Sequence, residues 1–236
     1  MSAWLTPLLD VGFCVMPGPV PPSSVPPLSR AYDAAVASAD PADVRTSSNP
    51  ARSTRITDFV NRDPIFDAVY VYEPILEAAR AIIGEPFKLS AFHGRTVEPG
   101  ATAQGLHVDV FRHDAAWPLV GFILMIDAFS ADNGATRFVP RSHLTTSVPA
   151  DAMVDTTDDH EGQQLACGPA GSVIVFHGST WHGFTANLSN RGRRSVQGAF
   201  IPRQGKAALD HAARIRPETR QRIGPIARYL LELDPV

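Results

Sequence analysis

The segment GLHVDV at 105–110 carries an imidazole and a carboxylate two residues apart. On an extended strand, residues i and i+2 point to one face, so His107 and Asp109 would project together. A ring nitrogen and a carboxylate oxygen aimed at one point occupy adjacent positions around a metal ion. A second histidine from a distant strand would complete a 2-His-1-carboxylate triad, leaving three positions open for a bidentate 2-oxo acid and dioxygen. SVIVFHGSTWHGF at 172–184 offers two candidates, His177 and His182. His182 is preferred, because it begins an extended segment before Gly183. His177 is the alternative; it follows the strand-like VIVF and precedes Gly178, as a turn residue would. An H-x-D pair alone is weak evidence, and its weight comes from this context.

Eleven residues beyond His182 lies Arg193, at the start of RRSVQGAFI. A 2-oxo diacid held at a metal needs a guanidinium for its remote carboxylate, ideally as a bidentate pair. If this segment is a strand, Arg193 and Ser195 share a face, and the Ser195 hydroxyl adds a hydrogen bond to the same carboxylate. Arg194 would face the other way. In isolation, Arg191, Arg193 and Arg194 would read as a solvated charge cluster.

The elements that must position these groups are short β-rich runs. From residue 87 the chain reads KLSAFHGRTV, GLHVDV, LVGFILMID, ATRFVP, GSVIVFH and RSVQGAFI, separated by Gly, Pro, Asn and Asp. LVGFILMID is almost continuously apolar, which suits a strand buried on both faces. Helices flank the run. One spans SVPPLSRAYDAAVAS, with Ser23 or Ser24 as its cap and prolines in its first turn. A second is predicted at about 73–84, ended by Gly84. ETRQRIGPIARYLLELD at 218–234 also reads as helical, and residues 39–56 read as a polar loop. The expected class is α+β, mainly β, with a jelly-roll core. Residues 1–236 form one domain: 1–86 mostly helical, 87–204 the jelly roll, and 205–236 C-terminal helices.

Composition agrees with a soluble globular enzyme, at 44% apolar and 19% charged residues. The net charge of −3 gives no basic footprint for nucleic acid. No apolar stretch approaches the ~20 residues that cross a membrane, and no secretory leader is visible. Cys14 and Cys167 form no C-x-x-C pair, so two reduced thiols in a cytoplasmic protein are expected. Monomer and homodimer are both compatible with the sequence.

Three segments carry a family resemblance: GLHVDV, GFILMIDAFSADNGATRFVPRSH and GPAGSVIVFHGSTWHGFTANLSNRGRRS. Together they resemble the phytanoyl-CoA dioxygenase family over about residues 88–203, with a looser likeness at GFCVMPG. The resemblance implies a double-stranded β-helix fold of the cupin-like kind. It implies Fe(II), 2-oxoglutarate and O2 as reactants. It implies metal ligation by His107, Asp109 and His182, with Arg193 on the cosubstrate carboxylate, and it favours His182 over His177 through the Trp-His-Gly context. Three positions depart from the family pattern. Val108 stands where Gln is frequent, Arg141 replaces the usual Gly before Ser-His, and Phe184 stands where a cosubstrate-binding Ser or Thr often sits. Ser195 or Thr185 would then supply the hydroxyl. Halogenating relatives lack the carboxylate that Asp109 retains, so oxygen chemistry, by default hydroxylation, is expected.

Other residues are candidates for substrate contact. His93 and Arg95 in SAFHGRTVEPG would border the cavity and meet a carboxylate or phosphate, and Arg112 and His113 would sit in a loop over the site. His143 reads as a structural turn residue and Trp117 as packing. The expected substrate is a small secondary metabolite or an amino-acid-like molecule. Two competing functions share the fold: a cupin-like metal-dependent isomerase or hydrolase without 2-oxoglutarate, and a non-catalytic small-molecule binder. Arg193 with Ser195 argues against the first, which has no need of a diacid clamp. The intact triad argues against the second.

Overall fold

The computed structural model describes residues 3–47, 51–84, 86–111 and 119–234. Among these residues, ten strands follow one another as β1 (Phe13–Pro17), β2 (Val44–Thr46), β3 (Ser53–Ile56), β4 (Phe87–Val97), β5 (Val120–Met125), β6 (Thr136–Phe138), β7 (Gln164–Ala166), β8 (Ser172–His177), β9 (His182–Phe184) and β10 (Arg193–Pro202). Seven of them form a large sheet in the order β1-β8-β5-β10-β4-β3-β2, and β7-β6-β9 form a small one. Every strand pairing is antiparallel. Jumps such as β8 beside both β1 and β5 are the crossovers of a double-stranded β-helix.

The helices are α1 (Leu5–Val11), α2 (Val25–Ala37), α3 (Asp67–Tyr70), α4 (Glu73–Ile82), α5 (Pro149–Ala152), α6 (His211–Arg214), α7 (Pro217–Arg222) and α8 (Pro225–Leu230). The strand period divides the core into two layers. On β5, Phe122 and Leu124 join a cluster with Leu28 and Tyr32 of α2 and Ile75 and Leu76 of α4. Ile123 and Met125, on the opposite face, join Phe138 and Phe176 between the two sheets. All six β5 residues are therefore buried, as the continuous apolar run predicted. Each such aromatic or aliphatic side chain contributes about 1.5–3 kcal/mol by leaving water.

Two expectations are corrected, the loop over 39–56 and the strand at GLHVDV, and two are refined. Residues 39–56 are more than a loop: β2 and β3 extend the large sheet beyond β4. The first 86 residues thus supply three strands as well as helices, with β1 sealing the opposite edge against β8. GLHVDV is not a regular strand; only His107 pairs, in an isolated bridge to His182. The chain then bends, and both Asp109 N and Val110 N donate to the Gly178 carbonyl. Finally, Gly224 and Pro225 split the C-terminal helical run into α7 and α8, because proline cannot continue a preceding helix.

Candidate metal centre

His107 and His182 exchange both backbone hydrogen bonds, each 3.0 Å long. This rung aligns two segments far apart in the chain and aims both rings at one point. Asp109 follows after the bend. Its Oδ1 lies 3.8 Å from His107 Nε2 and its Oδ2 lies 3.7 Å from His182 Nε2. One ligand atom from each residue falls within 4.8 Å of the others, the spacing of a metal-binding group.

The ring tautomers are fixed by the backbone. His107 Nδ1 is 3.0 Å from the Gly105 carbonyl and His182 Nδ1 is 2.8 Å from the Thr180 carbonyl. A carbonyl only accepts, so each Nδ1 carries the proton and each Nε2 presents a lone pair toward Asp109. Burial, then the neighbouring His182, push the His107 pKa down to about 4, which keeps its ring neutral. His182 is held between aromatic rings, stacked on Phe138 at 5.7 Å and tilted against Phe176 at 4.7 Å.

Two backbone features make the approach possible. A Cβ at Gly183 would lie 2.9 Å from the Gln104 carbonyl oxygen, so only glycine lets β9 run this close to residues 104–107. Arg137, fully buried on β6, then fastens the segment. Its Nη2 donates to the Gln104 carbonyl at 2.9 Å and to the carbonyls of Thr156 and Thr157. Its Nη1 donates to the Asp158 carbonyl at 2.7 Å. Nothing in the sequence reading singled out Arg137; a charged residue inside the otherwise strand-like ATRFVP was the available signal.

The triad opens into a cavity of about 230 Å³. Arg193 lines it, 1% exposed, with Nη1 donating to Ser195 Oγ at 3.3 Å and its guanidinium 4.1 Å from the Phe129 ring centroid. Its Nε has no hydrogen-bond partner, and burial pushes its pKa down to about 10. Arg194 faces the other way, as the strand period requires, and binds Asp127 at 2.6 Å and Asp33 at 2.6 Å. His93, Arg95 and Phe184 also line the cavity. His93 is driven to about 3 by burial and by the cations Arg55 and Arg95.

The remaining expectations divide. His177 does not line the cavity; its ring stacks on His143 at 4.6 Å. His143 is buried in the turn Ser142–Leu144, with Nε2 3.0 Å from the Leu9 carbonyl. Arg141, before that turn, has φ +67°, a left-handed conformation that explains why glycine is usual there. Thr185 is turned away, its hydroxyl 3.3 Å from the Ala135 carbonyl, so Ser195 is the hydroxyl beside Arg193. Val108 packs with Leu106, Val139 and Trp181. Arg112, His113 and Trp117 lie outside the described residues. Arg55, Gln104, Thr136 and Gln197 line the cavity and were not foreseen. Gln197 is readable, since it continues the Arg193–Ser195 face by two residues; Arg55 lies in a segment whose polar composition reads as loop. Cys14 and Cys167 are free thiols, and burial pushes the Cys14 pKa up to about 12.

Comparison with known proteins adds the following. The profile of phytanoyl-CoA dioxygenase (PhyH) matches residues 9–195. Dioxygenase andF of Emericella variicolor is 30% identical over 122 residues, covering 47% of this chain and 41% of that protein. Dioxygenase af480 of Aspergillus fumigatus is 25% identical over 196 residues, covering 80% of this chain and 61% of its own. The chain thus spans about two fifths to three fifths of the length of these curated relatives. Among solved structures, HygX of Streptomyces hygroscopicus, bound to nickel, 2-oxoglutarate and hygromycin B, superposes with a TM-score of 0.68 at 15% identity, covering 88% of this chain and 90% of that one. At that identity the likeness speaks for the fold. Among the described residues, no helix is long and apolar enough to cross a membrane.

Proposed function

The chain belongs to the phytanoyl-CoA dioxygenase family, and from that premise we propose that it is an Fe(II)- and 2-oxoglutarate-dependent dioxygenase oxidising a C–H bond of a small molecule. The observation that carries this reading is the convergence of two imidazole Nε2 atoms and one carboxylate beside a buried guanidinium that has no ion-pair partner among the described residues. A 2-His-1-carboxylate donor set suits Fe(II) with open positions. The orphaned Nε of Arg193 suits a bound carboxylate, because a buried cation is stable only when paired. The residues therefore fit the metal and the cosubstrate.

When iron, 2-oxoglutarate and O2 are bound, the centre supplies oxidative decarboxylation of the cosubstrate to succinate and CO2, coupled to hydroxylation of the substrate. The chain's own residues do the positioning. His107, Asp109 and His182 hold the metal, with Gly105 and Thr180 fixing the ring tautomers through their carbonyls. Arg193 and Ser195 hold the distal carboxylate of the cosubstrate. Phe138 and Phe176 wall the metal side with apolar rings and exclude water from around His182. His93, neutral and facing the cavity, contacts the substrate through hydrogen bonds. Arg112 and His113 belong to the same substrate-facing expectation. The substrate is a small metabolite, which suits the size of the cavity, and the described chain acts as one oxygenase unit in the cytoplasm.

The test is anaerobic addition of Fe(II) and 2-oxoglutarate to metal-free protein, read by the visible metal-to-ligand charge-transfer band of a chelated 2-oxo acid. The band is expected in the wild type and weakened in Arg193→Ala at equal cosubstrate. Folded, iron-loaded protein that shows no band at saturating 2-oxoglutarate would overturn the reading. It would bring forward a metal enzyme that needs no 2-oxo acid.

A further inference from the structure

Arg193 is not the only buried guanidinium at its end of the cavity. Arg95 reaches the same wall from β4, where it pairs across the sheet with Ser195 of β10. It is 9% exposed, its Nε has no hydrogen-bond partner, and its polar contact is with Ser53 Oγ at 3.5 Å. Among the described residues, neither Arg95 nor Arg193 has a carboxylate within 4.0 Å. Burial, then Arg55, then Arg193 push the Arg95 pKa down to about 9.

Ser195 joins the two arginines. Its Oγ accepts from Arg193 Nη1 at 3.3 Å and donates to the Arg95 carbonyl at 3.3 Å. Phe184, two residues beyond His182, offers no hydroxyl; its ring centroid lies 5.0 Å from the Arg95 guanidinium carbon instead. That ring is a platform which orients a cation without neutralising it. Two unneutralised guanidiniums on one wall call for an anion that both can reach. A carboxylate has two oxygens and about four lone-pair sites, enough for both forks.

This inference rests on the oxygenase reading above. We propose that Arg95 is a second ligand of the distal carboxylate of 2-oxoglutarate, so that the cosubstrate is gripped by an Arg95–Arg193 pair carried on Phe184 and Phe129. Arg95 then belongs to cosubstrate recognition, and substrate contact falls to residues farther along the cavity, His93 and Gln197 among them.

The experiment is calorimetric titration of the full chain loaded with Mn(II), under anaerobic conditions. Two probes are used: 2-oxoglutarate, and 2-oxopentanoate, which carries a methyl where the distal carboxylate would be. Arg95→Met should weaken 2-oxoglutarate by ~30-fold or more, the scale of losing one partner of a buried charge pair. The same variant should leave 2-oxopentanoate within about threefold of wild type. Arg95→Lys, which keeps charge and bulk, should recover part of the loss and serves if the methionine variant does not fold. Equal weakening of both probes would mean a structural role and overturn the proposal. Unchanged affinity for 2-oxoglutarate would overturn it too and hand Arg95 back to a substrate anion. Wild-type protein that binds Mn(II) but not 2-oxoglutarate would instead overturn the oxygenase reading itself.

Discussion

Arg193 and Arg194 are neighbours on β10 with opposite electrostatic circumstances. Arg194 is clamped by Asp127 and Asp33, whereas Arg193 is more deeply buried and rests on the face of Phe129, with no carboxylate within 4.0 Å among the described residues. That contrast is what the proposed carboxylate site requires: one arginine neutralised by the fold, the next left to a ligand. Arg193→Met should therefore raise the 2-oxoglutarate KM by about 30-fold or more. Arg194→Met should leave that KM unchanged and lower folding stability by about 1–3 kcal/mol, since it strips Asp127 of its bidentate partner. Steady-state kinetics with denaturant titration separates the two; a KM rise in Arg194→Met would contradict the assignment.

The choice between the two histidines of the 172–184 segment is open to direct measurement. His182→Gln should abolish tight Fe(II) binding and turnover, and Asp109→Ala should do so as severely. His177→Asn should retain metal affinity within a few-fold, because its ring stacks on His143 outside the cavity. Metal affinity measured by competition with a chelator decides it. Loss of binding in His177→Asn alone would move the centre.

Gly183→Ala tests the close approach of β9 to residues 104–107. The added methyl meets two backbone carbonyls, Gln104 at 2.9 Å and Gly105 at 3.1 Å, which cannot rotate away as a side chain would. The displaced rung should cost ~10–100-fold in metal affinity, the range seen when groups that orient ligands are lost. Unchanged affinity with an unchanged fold would show that the approach is incidental.

How far the sequence reveals this site depends on what each interaction needs. The H-x-D pair, the Trp-His-Gly context and the Arg193–Ser195 face were legible because two-residue spacing carries them, and β5 because its apolar run is continuous. Arg55 and Arg137 were not, because their roles depend on partners far along the chain. Arg137 works through carbonyls at 104, 156, 157 and 158, which no local pattern announces. Strands β2 and β3 are hidden for a similar reason: β3 forms only because β4 offers an open edge, and β2 forms against β3 in turn. Even where GLHVDV failed to become a strand, one bridge and a bend anchored on the Gly178 carbonyl still brought both ligands to one point.

Acid sensitivity has a source outside the metal centre. His211 is buried, and burial pushes its pKa down to about 4, against 6.5 for a free side chain. The unfolded chain thus takes up a proton more readily than the folded one below pH 6.5. The contribution of His211 is complete above 6.5 and is lost as pH falls toward 4, by about 1.4 kcal/mol per pH unit at most. Urea midpoints of wild type and His211→Gln, measured between pH 7 and 4.5, should converge as the pH drops. A constant difference across that range would remove His211 from the account.

The His107–His182 rung has a consequence for the chain as a polymer. The two residues are 75 positions apart, and the protein has no disulfide to join them. Bound metal would tie their side chains as a cross-link ties two points of a thread, closing a loop of that length in any state that keeps the ion. For a covalent tie this long, the lost freedom of the unfolded chain is worth about 4 kcal/mol. The ion that equips the centre for chemistry would then also serve as the chain's missing staple, and a chelator would loosen the barrel as well as silence it.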